Sequence, residues 1–144
     1  MKPKLAAALI AMFLLTMPAV ARADKIQHRG GLIGVPGTHV KFAVKTRGGE
    51  PRRINNMAFI DVPVTCEGDG GGTIDGFLLS FRVRGHDFTR EGKIEGEGIQ
   101  GGFLRVEGDF SRRGRRASGT VRFSFESAGG TCATQRVAWR TRKR

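Results

Sequence analysis

The sequence predicts an all-β domain: an antiparallel up-and-down meander of seven or eight strands, forming a barrel or a sandwich and carrying one disulfide. Three observations lead there. Short segments alternate apolar and polar residues with period two, glycine-rich links separate them, and two cysteines stand far apart in the chain.

The alternation is clearest in six segments. Val40, Phe42 and Val44 oppose His39, Lys41 and Lys45, while Ala58, Ile60, Val62 and Val64 share a parity that continues to Cys66. Phe77, Leu79, Phe81 and Val83 alternate with Leu78, Ser80, Arg82 and Arg84. Leu104, Val106 and Phe110 oppose Arg105, Glu107 and Asp109; Val121, Phe123 and Phe125 oppose Arg122 and Ser124; Val137 and Trp139 oppose Arg136, Ala138 and Arg140. Weaker strands are expected at Gly30–Val35 and Phe88–Ile99. The second is so rich in glycine that it should bend or lie against another backbone.

The links include Pro36-Gly37, Arg47-Gly48-Gly49, Gly68 to Gly72, Arg84-Gly85, Gly101-Gly102, Arg113-Gly114 and Gly129-Gly130. None leaves room for the helical crossover of a parallel pair, so hairpins between sequential strands follow. Closure would protect the edges of so β-rich a chain. Cys132 shares parity with Arg136 and not with Val137 and Trp139, so a bulge is expected between Cys132 and Arg136, or a bridge near the rim.

The amino terminus reads as an export signal over residues 1–23. Lys2 and Lys4 precede an apolar run from Leu5 to Leu15, and Ala21-Arg22-Ala23 places small residues before a cut at Asp24. The run is broken by Thr16 and Pro18, short of the roughly 20 residues a spanning helix needs. A single mature domain, residues 24–144, is expected outside the cytoplasm. Removing Lys2, Lys4 and Arg22 from 25 basic residues leaves 22 against 13 acidic ones, a net charge near +9. In an oxidising compartment Cys66 and Cys132 are most simply a disulfide.

The carboxy-terminal half carries a recognisable pattern: Val106-Glu107-Gly108-Asp109-Phe110, then Ala117-Ser118-Gly119-Thr120-Val121-Arg122, then Cys132 to Trp139. It resembles a group of secreted β-rich proteins of high-GC Gram-positive bacteria, most specifically over Phe103–Arg142. Gln135 stands where that group usually has glycine. The resemblance implies a β fold and a bridge to an earlier cysteine, with Trp139 a buried indole, Gly119 a turn glycine and Phe110 a core aromatic. It implies no activity.

The residues offer no catalytic constellation. Ser118 lacks a Gly-x-Ser-x-Gly elbow. His28, His39 and His86 lie in separate segments and read as exposed strand-end residues, so neither a metal nor a cofactor is expected. Glu67, Asp69 and Asp75 flank glycines without calcium-loop spacing. The functional signal is cationic: Arg112, Arg113, Arg115 and Arg116 at a hairpin tip, and Arg140, Arg142, Lys143 and Arg144 at the end. With Arg122 and Arg136 they would form a patch that attracts an extracellular polyanion or anionic surface. The expectation is a monomeric, non-enzymatic exported binding domain. The alternative is a small apolar-ligand carrier, its barrel cavity lined by Phe42, Phe77, Phe81, Phe123 and Trp139.

Overall fold

The computed structural model describes residues 22–144 except 69, 95 and 97. Residues 1–23, read above as an export signal, lie almost wholly outside the described residues. Every described element is a strand: β1 Ala23–Leu32, β2 His39–Arg47, β3 Glu50–Cys66, β4 Gly70–Leu78, β5 Phe81–Arg82, β6 Asp87–Ile94, β7 Gln100–Phe110, β8 Arg116–Ser127, β9 Gly130–Ala133 and β10 Val137–Lys143. All registered pairings are antiparallel.

The chain runs as a meander. β1–β2–β3 pair in sequence, β4 and β5 pair with β3, and β6–β7–β8 pair in sequence. β10 pairs with both β1 and β8, and β9 pairs with both β8 and β3, so the path β1–β2–β3–β9–β8–β10 returns on itself and the sheet curls into a barrel. Among the described residues the open seam lies between β4–β5 and β6, which share no ladder. The turn Arg47–Glu50 is tight because Gly48 and Gly49 both have positive φ, 61° and 80°. That combination suits the right-handed twist of the flanking strands.

Ten strands replace the expected seven or eight for two reasons. The last strand is split: Cys132 and Thr134 face inward, residues 134–136 leave the ladder, and Trp139 and Thr141 face inward beyond them. β8 pairs Phe125 with Cys132 and Val121 with Val137, so this side carries one extra residue. The Thr134 hydroxyl accepts the Phe123 N–H at 2.8 Å, a role the displaced backbone no longer fills. The expected bulge is therefore present. The second added element is β5, a two-residue strand on β3.

Other readings need correction. The first strand begins at Ala23 and ends at Leu32; Ile33 lies outside it, half exposed. In β3 the parity of Ala58 and Ile60 does not continue to Val62. Asp61 is an extra residue with φ 56°, so Phe59 faces inward before it and Val62 and Val64 after it. Phe77 and Leu79 face solvent, 61% and 84% exposed, while Ile74, Leu78, Phe81 and Val83 are buried. Gly101-Gly102 belong to β7, at a register shift, and are not a link. Gly119 is likewise no turn glycine but lies inside β8.

One inward row across the sheet reads Phe88, Gly108, Gly119, Trp139, Leu32. A Cβ on Gly108 would stand 2.7 Å from the Trp139 ring, and one on Gly119 would strike the Glu107 carbonyl. Gly108 thus leaves the space in which the Trp139 and Phe88 rings lie, centroids 6.2 Å apart, while Gly119 lets the β7 backbone approach closely. Phe42 and Phe59 meet Trp139 edge-on from the other side, at 6.1 and 6.2 Å. The interior is filled by aromatic rings packed on one another.

Cys66 and Cys132 form a disulfide between directly paired residues of β3 and β9, with Cα atoms 4.0 Å apart.

Candidate functional site

The basic residues of the hairpin and the tail converge because β8 and β10 are neighbours. Arg116 pairs with Arg142, and the Lys143 N–H donates to the Arg115 carbonyl at 2.8 Å. The Arg144 N–H donates to Gln27 of β1 at 3.0 Å, which ties down the chain end. The result is a shallow, widely open groove of about 470 Å3 lined by Arg115, Arg116, Arg142, Lys143 and Arg144. Arg112 and Arg113 sit exposed on the turn before it, and Arg140 lies on the outer face opposite Ser118.

The hairpin does not project into solvent. Its turn folds over one end of the barrel, where the His28 Nε2–H donates to the Gly114 carbonyl at 2.8 Å. The Thr141 hydroxyl lies 3.1 Å from Nδ1, and the Phe42 ring stacks on the imidazole at 4.8 Å. His28 is fully buried, contrary to its reading as an exposed residue. Its burial agrees with the parity it shares with Ile26 and Leu32 in β1, which starts seven residues before the expected strand at Gly30. Neutral imidazole with Nε2 protonated satisfies both contacts.

Burial pushes the His28 pKa below its ordinary 6.5, outweighing the opposing effect of the Gly114 carbonyl. The sign follows. As pH falls through 6.5 the unfolded chain takes up a proton that the folded one does not, so stability present above that pH declines below it. The melting temperature is expected to drop between pH 7 and 5. His28→Gln, whose amide N–H can still reach Gly114, should flatten that part of the curve in thermal melts across the same range.

Arg122 and Arg136 do not join the groove. Arg136 is bound to Glu107 at 2.5 Å and donates to Thr120 at 3.0 Å, and Arg122 lies over the Phe103 ring at 5.6 Å. Arg105 there is shared between Glu91 and Glu107 at 2.8 and 3.2 Å. On this side Arg105 and Arg136 are thus paired with acids, whereas Arg122 rests on an aromatic ring. The cations of the groove have no recorded ion pair among the described residues.

Sequence reasoning missed the breadth of the basic face, because register decides it. Arg116, Arg142, Arg29 and Lys41 are consecutive partners across β8, β10, β1 and β2. Lys25, Lys45, Arg53 and Arg82 are consecutive partners across β1, β2, β3 and β5. All eight are exposed.

A groove of about 830 Å3 follows the open seam between β4 and β6. Phe77 and Leu79 border it, with Asp61, Asp75 and Glu91 set against Arg90 and Lys93. Of the five residues expected to line an apolar chamber, Phe77 faces solvent, and Phe42, Phe81, Phe123 and Trp139 belong to the core.

Fold and site thus define a disulfide-tied antiparallel β domain with one strongly cationic outer face. No family model matches the chain, and no curated protein or solved structure matches it either.

Proposed function

We propose that this is an exported, non-enzymatic binding domain that contacts extracellular polyanions or anionic surfaces through the groove between the β7–β8 hairpin and the carboxy-terminal tail. The observation that carries the reading is the acid-free convergence of Arg115, Arg116, Arg142, Lys143 and Arg144 in one groove. Like charges so close together repel one another in the free protein, and an anion relieves that repulsion while releasing its own counterions.

Export is supported by the signal-like residues 1–23 and by the resemblance to secreted β-rich proteins. A disulfide is also the bond expected of a protein outside the cytoplasm. β1 begins at Ala23, so a cut before Asp24 leaves the domain's ladders essentially whole.

The test is retention of the mature domain on heparin as salt is raised. Serine at positions 115, 116, 142, 143 and 144 should lower the slope of log affinity against log salt by about 3.5 to 4.5, since each lost contact removes about 0.7 to 0.9. The melting temperature should stay near that of the parent, since the five side chains are exposed. Elution of the parent in the void at low salt, or an unchanged slope, would overturn the proposal.

A further inference from the structure

Between the two cationic rows lies a third row with no charge: Gln27, Ala43 and Asn55, partners across β1, β2 and β3. Four residues separate the rows along each of β1 and β2, about 13 to 14 Å at the rise of a strand. Ala43 is the only short side chain in the middle row, so the sheet carries a trough there of about 230 Å3. Its walls are Lys25, Arg29 and Lys41, and its floor offers the amides of Gln27, Asn55 and Asn56. Asn56 reaches this place because β3 bulges there and the residue takes a positive φ of 48°. No acidic residue lines the trough.

We infer that this trough is a binding site for a single-chain anionic polysaccharide lying across the strands. The inference rests on the polyanion reading above and adds a second site with its own chemistry. Cations on both walls match carboxylate or sulfate groups on both sides of one chain. Amides, which donate and accept, match sugar hydroxyls, which a bare phosphate chain lacks. No aromatic side chain is exposed there for stacking of bases. A duplex is too thick to enter the trough and would rest on the two rows without reaching the floor.

The test uses three probes of equal charge: a heparin-derived decasaccharide, inorganic polyphosphate and a short DNA duplex. Ala43→Phe fills the trough without altering charge. It should weaken the decasaccharide at least tenfold and change the other two by less than twofold, with an unchanged melting temperature. Gln27→Ala combined with Asn55→Ala, which removes floor amides without adding bulk, should weaken the decasaccharide alone, about threefold or more. If either folded variant leaves the decasaccharide unaffected, or weakens all three probes alike, the trough is not a sugar site and only the general polyanion reading stands. Failure of the parent to bind any probe at low salt would remove both.

Discussion

Replacing Trp139 by alanine is expected to destabilise the domain by about 4 kcal/mol, within the range for emptying a buried aromatic site. The indole is fully buried and touches Phe42, Phe59 and Phe88. Gly108, which lies against the ring, carries no side chain that could move into the void. Since small domains are stable by only about 5 to 15 kcal/mol, the variant should be largely unfolded at modest denaturant concentration. Trp139→Phe should lose much less. The indole N–H finds no acceptor among the described residues, so removing it also removes a buried, unsatisfied donor. Denaturant titration followed by circular dichroism distinguishes the two. A loss below about 1.5 kcal/mol for the alanine variant would show that the core repacks and that the glycine-floored pocket is not rigid.

The second large effect is expected on removing the disulfide. Cys66 and Cys132 are 66 positions apart, and freeing a loop of that length costs about 4 kcal/mol on chain-entropy grounds. β3 and β9 are joined by just two registered pairs, Thr65 with Ala133 and Cys66 with Cys132, so the bridge holds that end closed. Cys66→Ala combined with Cys132→Ala should lower the melting temperature by roughly 15 °C for a domain of this size. Heparin retention below the melting transition should not change. The bridge abuts Phe125 of β8, whereas the cationic groove begins at Arg116, about 30 Å away along that strand. A shift under about 3 °C would mean that the unfolded state is already constrained, and lost retention would mean that the two ends of the barrel are coupled.

Both expectations depend on features of different legibility. The all-β class, the antiparallel hairpins and the disulfide could be read directly, as could the inward faces of β2, β7, β8 and β10. Those strands keep strict alternation, and each carries its face in its own residues. The failures came where the alternation is interrupted. Asp61 inserts one residue into β3 and reverses the face of everything after it. Phe77 and Leu79 look like core because they are large and apolar, yet Leu78 takes the inward position. Large apolar residues at an open seam escape the rule that burial selects hydrophobic side chains.

The cationic site divides in the same way. Arginines in the hairpin and tail are conspicuous as runs, and their meeting follows from β8 and β10 being neighbours. The rows through Arg29, Lys41, Lys25 and Lys45 were invisible, because each residue stands alone in its strand and only register sets it beside the others. Period-two alternation and paired cysteines are enough to specify a basic, antiparallel β domain with an inward Trp139. Which strands close the barrel, that Gly108 makes room for the indole, and that charges scattered along the chain align across it emerge only in the folded molecule. Alternation is a property of one strand, whereas register and closure belong to pairs of strands distant in the chain.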